Sequence, residues 1–453
     1  MMLTCFKDKN FLKRFLNISL PVMISAFVTF LVTLVDNIMV GSVSNEAVSG
    51  VYAANEVTFV FEIAGFGILE GAGIFLQQFN GIKDNKHMKQ CFNYKIIFAL
   101  LFLLCSLPIV YTLGKEMIYF YCNKDTNSSI ILKEGTDYLN FLALSYIPFM
   151  IGQVYSTSLR EIGETKYTMY SSLIAVVINV IFNSIFIIGL EMGVKGAAIA
   201  TIISRIIEMS SLILISHIKK MPFCHKFYID FGIEKDLFKQ MNKRTAFLFI
   251  NEIGWSLGMI LQSMAYSQRD GVLSAISVVT TVNNIVQILI NGLSIGIGVM
   301  VGSSLGQKDY EKAKYEAKNL AFLGLYSAIF VGILLISFSH LIPLLFVKVD
   351  PAQKQLAAKL IIIMGTMLFG RTVSAAIYFI LKSGGNALIT FFFDSGLMLI
   401  LYLPVAWCLA LFTNLDLIYI YLIVTSIDII KAISGLIILK KYNWANNLTE
   451  VKQ

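Results

Sequence analysis

A charged side chain inside a long apolar stretch needs either a partner or a function, and ten such residues of this sequence are candidates for a function. A charged group at the centre of a bilayer costs about 3 kcal/mol or more. A carboxylate in such surroundings can exchange a proton, or it can hold Na⁺ with neutral oxygen ligands, and it can thereby couple an ion gradient to motion. The ten residues are Asp36, Glu62, Glu70, Arg205, Glu208, Glu252, Arg371, Asp394, Asp428 and Lys431.

Asp36 is the strongest candidate for ion coupling. The sequence places no basic residue within a helical turn of it, so its partner must come from another helix, from water, or from a bound proton or cation. The alternative is an acid at the membrane interface. Glu252 follows Asn251 and lies about 12 Å by helical rise from the charged edge at Lys243 and Arg244. A functional and a structural role are equally well supported for Glu252.

The remaining charges are expected to form ion pairs or to brace neighbouring helices. Glu62 and Glu70 are eight residues apart, which places them broadly on one helical face, where they could line a cavity. Three ion pairs are expected: Asp428 with Lys431, Arg205 with Glu208, and Arg371 with Asp394. The secondary site candidates are therefore Glu62, Glu70, Arg371 and Asp394.

The composition predicts an all-α membrane protein. Hydrophobic residues make up 57% and charged residues 14% of the chain, and the mean hydropathy is +0.74. Soluble domains carry about 25% charged residues. Barrel strands would alternate polar and apolar residues over about ten positions, whereas these segments are apolar all round, so helices are expected. Twelve spans of suitable length are predicted, at approximately 15–40, 51–79, 92–113, 137–159, 167–190, 197–217, 246–267, 273–301, 319–342, 356–381, 387–412 and 417–439.

A repeated spacing divides these helices into two equivalent sets. Six residues recur 225 positions later, and a second pattern, from Leu159 to Gly163, recurs at an offset of 222. Each half holds an even number of helices, so both copies enter the membrane from the same side. We therefore predict twelve transmembrane helices in two pseudo-symmetric six-helix lobes, a parallel repeat about the membrane normal. The six residues are Gly67, Gly71, Gly73, Gly81, Lys83 and Asp84, repeated as Gly292, Gly296, Gly298, Gly306, Lys308 and Asp309.

The positive charge of the chain is a topology feature. The formal net charge is +8. With the N-terminus inside, the inner loops and tails hold 24 Lys and Arg residues and the outer loops hold seven. This excess predicts a multi-pass protein of the cell inner (plasma) membrane with both termini cytoplasmic, and it argues against a nucleic-acid partner. The predicted domains are an N-lobe at 1–217, a cytoplasmic linker at 218–245 and a C-lobe at 246–453. Within the linker, 233–241 is either an interfacial amphipathic helix or a solvated segment.

Several segments resemble the multidrug and toxic compound extrusion (MATE) family of transporters, in particular its prokaryotic DNA-damage-inducible-type branch. The first is LPVMISAFVTFLVTLVDNIMVG, which begins at Leu20, and QQFNGIKD follows the second predicted helix. LREIGETKYTMYSSLIAVVINVIFN, GVKGAAIATIISR, VGSSLGQKDYEKAK and LKSGGNALITFFFD occur later in the same order as in the family. The resemblance covers about 15–442, nearly the whole chain.

The resemblance implies a secondary active multidrug efflux antiporter that exports organic, often cationic, compounds in exchange for H⁺ or Na⁺. It also implies an ion-coupling and substrate site at Asp36, Asn179, Asn183, Thr201 and Glu252. Asn183 stands where the family has a second acid. A lone carboxylate among neutral groups favours H⁺ slightly, although Na⁺ held by Asp36, Asn179, Asn183 and Thr201 is the alternative.

Other functions are less well supported by the sequence. A lipid-linked oligosaccharide flippase of the related superfamily would need a strongly basic cavity, and intramembrane bases are few. No Walker A sequence, H-E-x-x-H or G-x-S-x-G occurs, which argues against an ATP-driven pump and against a membrane-embedded enzyme. The six cysteines are scattered and predict neither disulfides nor a metal site. We expect no cofactor, small organic substrates, lipid as the surrounding partner, and a monomer.

Overall fold

The computed structural model describes residues 8–41, 44–122, 128–225, 232–269, 272–346 and 349–450. Within these residues the chain is helical, without a β-strand, and the all-α prediction is confirmed. The twelve helical segments are α1 Lys9–Gly41, α2 Asn45–Gly81, α3 Asn85–Cys122, α4 Ser128–Leu142 with Tyr146–Glu161, α5 Thr165–Asn183, α6 Gly193–Ile218, α7 Lys235–Tyr266, α8 Leu273–Gly306, α9 Tyr310–Ser337, α10 Pro351–Ser383, α11 Ala387–Phe391 continuing to Leu403–Phe412, and α12 Leu417–Lys441.

Three helices change their winding along their length. A 3₁₀ turn at Ala143–Ser145 separates the two parts of α4. A π-helical segment, Ser184–Gly189, continues α5, and two more, Phe392–Gly396 and Met398–Tyr402, lie within α11. Single π turns re-aim the side chains beside them and occur often at functional sites. α5 and α11 are therefore the helices in which side-chain direction departs most from a regular pattern.

Ten helices in the described part of the chain are long and apolar enough to cross a membrane. The other two predicted spans, α4 and α7, form helices at the expected places. The 3₁₀ turn divides α4 into shorter pieces, and α7 carries polar residues such as Asn251, Glu252 and Gln262 in its apolar part. Polar side chains inside a bundle are tolerated where they face other protein groups or a water-filled cavity.

Two short loops confirm the internal repeat at the level of the backbone. Lys83 follows α2 with a φ of 57°, and Lys308 follows α8 with a φ of 61°. In both copies the next residue is an aspartate that caps the following helix. Asp84 Oδ1 accepts the backbone N–H of His87, and Asp309 Oδ1 accepts the backbone N–H of Lys312. The Lys-Asp pair is thus a turn followed by a helix cap.

The described residues fall into two compact units. We call Leu20–Phe249 the N-terminal unit, and the residues from Ile250 onward together with those up to Ser19 the C-terminal unit. The start of α1 thus belongs to the C-terminal unit, and the start of α7 belongs to the N-terminal unit. The sequence did not indicate this exchange, because hydropathy fixes the spans and not which helices pack together.

Glycines of the repeat explain how these helix starts are accommodated. In the N-terminal unit, a side-chain carbon on Gly71 would lie 2.6 Å from the Cα of Thr245 in α7. In the C-terminal unit, a side-chain carbon on Gly296 would lie 2.8 Å from Ser19 Oγ and 2.7 Å from Phe15 Cδ2 in α1. Real side chains essentially do not approach so closely, so only glycine fits. The repeated glycines therefore allow close helix packing, as small residues do in membrane bundles.

The segment from 218 to 245 is partly built into the N-terminal unit. α7 begins at Lys235, so most of 233–241 is its first part, and a separate interfacial helix does not form. Leu237 and Met241 are fully buried there. Before α7, Phe223 is also fully buried, with its ring centroid 5.1 Å from that of Phe92. Part of this segment is therefore packed against protein, while Lys219, Lys220, Lys239 and Lys243 are exposed.

Candidate functional site

Asp36 lies with two asparagines of α5 in the N-terminal unit. Asn183 Nδ2 donates to Asp36 Oδ1 at 2.6 Å and lies 3.0 Å from Asn179 Oδ1. When the Asn179 carboxamide is turned to place its nitrogen toward Asp36, it donates to Oδ1 at 3.0 Å and to Oδ2 at 3.2 Å. Both asparagines are buried, whereas Asp36 is half-buried. Three of the five residues expected at the site therefore lie together.

Helix geometry explains this grouping. Asn179 and Asn183 are four residues apart, so their side chains point to the same side of α5. The π-helical segment begins directly after Asn183, and such a segment changes the direction of the side chains next to it. The carboxylate of Asp36 comes from α1, which has no acid or base within a helical turn of it. The site is thus one acid from one helix and two amides from another.

Thr201 does not join this group by a hydrogen bond. Its hydroxyl donates to the carbonyl of Ala197, one turn earlier in α6, at 3.0 Å. Among the described residues no hydrogen bond connects Thr201 to Asp36 or to the two asparagines. A Thr hydroxyl in a helix commonly bonds the carbonyl one turn earlier, and this bond neither supports nor contradicts a role in the site. Thr201 therefore stays a predicted member of the site.

The carboxylate of Asp36 has only neutral partners in the described structure, since no cationic side chain forms an ion pair with it there. One polar atom beside it is also unsatisfied: Asn183 Oδ1 is buried and has no hydrogen-bond partner among the described residues. A buried acceptor without a donor costs about 1–3 kcal/mol. A hydrogen-bond donor or a small cation beside Asn183 Oδ1 would satisfy this acceptor.

The second acid of the N-terminal unit that was proposed for the site, Glu62, is engaged in an ionic group. Arg205 Nη2 donates to Glu62 Oε1 at 3.3 Å, and its Nη1 donates to Glu208 Oε2 at 3.2 Å. The guanidinium also lies over the ring of Phe149, 4.7 Å from its centroid. The expected Arg205–Glu208 pair is therefore confirmed, and Glu62 shares the same arginine. Glu70, on the same helix as Glu62, is half-buried.

Glu252 belongs to a polar network in the C-terminal unit. Tyr378 of α10 donates its hydroxyl to Glu252 Oε1 at 3.1 Å. The neighbouring Asn251 is fully buried, and its Nδ2 lies 3.1 Å from Tyr378 Oη and 3.3 Å from Asp394 Oδ2. The network thus joins α7, α10 and α11. Glu252 belongs to the C-terminal unit and Asp36 to the N-terminal unit.

Two expected ion pairs are wrong. Asp394 pairs with Lys431 at 2.7 Å, and not with Arg371. Asp428 accepts a hydrogen bond from the hydroxyl of Tyr402 at 2.6 Å, and not from Lys431. The spacing of three residues on α12 allows an Asp428–Lys431 contact, but the acid across on α11 offers Lys431 a better one. Sequence spacing counts only neighbours on the same helix, which is why both pairings were missed.

Sequence reasoning also missed several polar residues of these networks. Ser395 belongs to the C-terminal network, because its backbone N–H donates to Asn251 Oδ1 at 3.3 Å. Asn251, Tyr378 and Ser395 are uncharged, so a search for intramembrane charges passes over them. Lys95 and Glu161 form a fully enclosed ion pair in the N-terminal unit, in which Ser158 also contacts the ammonium group at 3.4 Å. Their position at the ends of apolar windows concealed this pair. Among the described residues no group of three His, Cys, Asp or Glu side chains is placed to hold a metal ion.

Membrane-length helices in two repeated sets, with acids and amides held inside them, define a multi-pass membrane transporter. The chain belongs to the MatE family, whose family model matches residues 21–185 and 247–408. It is therefore a transporter and not an enzyme, and the family resemblance drawn from its motifs is confirmed.

Curated relatives and solved structures agree with this assignment. The chain is 25% identical over 363 residues to the probable multidrug resistance protein NorM of Haemophilus ducreyi, covering 77% of this chain and 76% of that one. It is 25% identical over 399 residues to the probable multidrug resistance protein YoeA of Bacillus subtilis, covering 82% and 81%. The structure of a mutant of the Vibrio cholerae MATE transporter VcmN has a TM-score of 0.85 at 15% identity, covering 96% and 98%. A MOP superfamily transporter from Pyrococcus furiosus has a TM-score of 0.84 at 17% identity, covering 95% and 96%. These structural likenesses show the same fold.

Proposed function

We propose that this protein is a secondary active antiporter that exports amphipathic organic compounds in exchange for H⁺, with Asp36 as the coupling carboxylate. The observation that carries the proposal is the contact of Asp36 with Asn183 at 2.6 Å, in a group that contains no cation among the described residues. Efflux of multiple drugs is supported by the relatives, which are described as probable multidrug resistance proteins.

The choice of H⁺ over Na⁺ follows from charge. Asp36 supplies a single negative charge, and Asn179 and Asn183 supply neutral groups. A desolvated carboxylate gains a large free energy on protonation, because its charge is removed from a low dielectric. Na⁺ would need several oxygen ligands, for which Asn179, Asn183 and Thr201 are the available set. Protonation therefore needs fewer rearrangements, and Na⁺ stays the alternative coupling ion.

Coupling would act through the packing of α1. An unpaired charge at Asp36 draws the two amides of α5 toward it, as the 2.6 Å contact indicates. Binding a proton weakens this charge-assisted hydrogen bond to an ordinary one. An ion can shift a conformational equilibrium only by its different affinity for the two states. We propose that the position of α1 against α5 is what distinguishes those states.

The orientation and organisation are part of the proposal. Both termini would be cytoplasmic in the cell inner membrane, because the Lys and Arg excess lies in the loops on that side. We retain the lobes at 1–217 and 246–453 and the linker at 218–245 as proposed domains, with a monomer as the transporting unit. Glu252, Glu62, Glu70, Arg371 and Asp394 would act in positioning or substrate contact.

The flippase alternative is disfavoured by the ionic group around Arg205. A pyrophosphate-linked lipid would require several cationic side chains without acid partners, but Arg205 already forms ion pairs with Glu62 and Glu208. Neutralised in this way, it adds little positive potential to a cavity.

Ethidium efflux from proteoliposomes tests the proposal. H⁺ and Na⁺ gradients are imposed separately on the purified full-length protein and on Asp36→Asn at equal incorporation. We expect the H⁺ gradient to drive efflux by the unaltered protein and to drive little by Asp36→Asn. Efflux driven only by Na⁺ would reassign the ion, whereas unchanged coupling in Asp36→Asn would refute the role of Asp36.

A further inference from the structure

Arg371 of α10 is held by two neutral side chains of α8. Its Nη1 donates to Asn283 Oδ1, and its Nη2 donates to Gln287 Oε1 at 3.2 Å. Among the described residues no carboxylate lies within ion-pair distance of it, and the residue is half-buried. The guanidinium is therefore oriented by amides without being neutralised by a direct acid partner.

Arg371 lies deep in its helix. It lies twelve positions before Ser383 at the end of α10, a distance of about 18 Å by helical rise. An arginine at such a depth faces the interior of the bundle or a water-filled cavity, since exposure to lipid is costly. The polar face of α8 continues beyond it, because Gln287 Nε2 donates to Asn291 Oδ1 at 3.3 Å and Asn291 is exposed. This face has the polarity of a surface in contact with water or solute.

Two intramembrane acids of the same unit, Asp428 and Asp394, are engaged with other partners. Asp428 is close enough for its charge to be felt at Arg371, but the two make no direct ion pair, and Asp428 accepts from Tyr402. Asp394 is paired with Lys431. The field of Asp428 makes the site less costly to bury. The two hydrogen bonds to Asn283 and Gln287 use two of the five N–H donors of the Arg371 guanidinium.

The internal repeat shows what has changed at this place. Gln287 lies 225 residues after Glu62, and Glu62 is the direct ionic partner of Arg205 in the N-terminal unit. Arg371 lies 222 residues after Phe149, the ring beneath that same Arg205. Both units thus place an arginine beside the same position of the repeat, Arg205 beside Glu62 and Arg371 beside Gln287. The N-terminal unit supplies an acid to it, and the C-terminal unit supplies an amide of nearly the same shape.

We propose that Arg371, oriented by Asn283 and Gln287, binds an oxyanion group of the transported compound, such as a carboxylate, sulfonate or phosphate. Guanidinium presents five N–H donors in a planar fork that matches such groups, and two amides occupy only part of that fork. This inference rests on the proposed function and names a substrate class for it: amphipathic compounds that carry an anionic group, zwitterions included. Where such a group is present, it replaces the carboxylate that Glu62 supplies in the other unit.

The test compares two dyes in proteoliposomes made from zwitterionic lipid. Carboxyfluorescein carries carboxylates, and ethidium carries none. We expect Arg371→Gln to raise the KM for the carboxylated dye about tenfold, because one charge-assisted contact is lost. The KM for ethidium should stay within about twofold of its value in the unaltered protein. Gln287→Glu places an internal carboxylate beside Arg371 and should have the same selective effect with the arginine intact. Lys359→Gln, which removes an exposed charge from the same helix, should change neither KM.

Binding is measured separately from transport. A thermal shift of the detergent-solubilised protein with carboxyfluorescein should be present in the unaltered protein and absent in Arg371→Gln. If transport of both dyes fails while this shift persists, the proposed function is wrong and the oxyanion site stands. Equal KM changes for both dyes, or no shift in the unaltered protein, would overturn the inference. Repeating the assay with anionic lipid distinguishes a transported oxyanion from a lipid headgroup. If anionic lipid competes with carboxyfluorescein and this competition requires Arg371, the oxyanion site is assigned to a lipid headgroup.

Discussion

The two units of this transporter hold a half-buried acid in opposite ways. Asp36 in the N-terminal unit is met by the amides of Asn179 and Asn183. Asp394 in the C-terminal unit is met by the ammonium of Lys431 at 2.7 Å and by Asn251 at 3.3 Å. Among the described residues, protonation of Asp36 leaves no cationic side chain without an acid partner, whereas protonation of Asp394 would leave the ammonium of Lys431 without one.

The repeat indicates that this difference developed within a duplicated frame. Both units keep the same turn after their second helix, with Lys83 or Lys308 at positive φ. The α7 positions 225 and 226 residues after Asp36 hold Leu261 and Gln262, which are uncharged. The loops and close-packing glycines are thus common to both halves, while the chemistry inside the helices is not. A duplicated scaffold can therefore assign ion coupling to one half and charge-compensated structure or substrate contact to the other.

The largest expected effect comes from making the same change at both acids. Asp36→Asn should reduce gradient-driven efflux by about 5- to 150-fold, since a coupling free energy of about 1–3 kcal/mol is removed, and it should preserve folding. Asp394→Asn should preserve the ion dependence of efflux, because its charge is already compensated. Efflux is measured under imposed H⁺ and Na⁺ gradients at matched protein levels. The comparison fails if Asp394→Asn loses its ion dependence and Asp36→Asn keeps it.

Removing the lysine that pairs with Asp394 should lower the stability of the protein more than its transport activity. Lys431→Met leaves Asp394 as a largely buried charge, since the two side chains are 14% exposed or less. Breaking such a pair from one side costs about 3–5 kcal/mol. The thermal unfolding temperature in detergent should therefore fall clearly. The double change Lys431→Met with Asp394→Asn should recover most of the loss, and Lys440→Met, an exposed lysine on the same helix, should have little effect. Equal unfolding temperatures for Lys431→Met and the unaltered protein would show that Asp394 is not charged in the folded state.

Sequence patterns predicted the helices better than their contacts. Hydropathy and the 225-residue offset predicted twelve helices and their duplication, because both depend on composition along the chain. Asp36, Asn179 and Asn183 were brought together through the family resemblance, and the spacing of four on α5 supports that grouping physically. Lys431 was assigned to Asp428 because only same-helix neighbours can be counted from spacing. The partners of Arg371 and Glu252 depend on which helices lie side by side, and apolar stretches do not encode that.

Adding a second acid to the neutral site should change the ion it prefers. In Asn183→Asp the new carboxylate lies beside Asp36, where the Asn183 amide now donates at 2.6 Å. Two carboxylates raise each other's affinity for a cation, so Na⁺ should stabilise this variant, by about 2.7 kcal/mol at a concentration one hundred times its Kd. Thermal unfolding with NaCl compared with choline chloride measures the effect. Asn140→Asp, at an exposed position of α4, is the matched control. A Na⁺ response already present in the unaltered protein would favour Na⁺ as its coupling ion.

The smallest expected effect concerns how the start of α7 is held in the N-terminal unit. Lys86 donates to Glu234 at 2.7 Å, and this hydrogen bond lowers the pKa of the Glu234 carboxyl below its usual range. At pH values above the ordinary pKa of a glutamate, the pair therefore stabilises the fold. This stabilisation is lost as the pH falls through the lowered pKa of Glu234 in the folded protein. Because Lys86 is largely exposed, solvent screens the pair, and Glu234→Gln should lower the thermal unfolding temperature only slightly near neutral pH. Unfolding measured across the acidic range should show this small difference shrinking as pH falls, and a difference that grows on acidification would contradict the assigned sign.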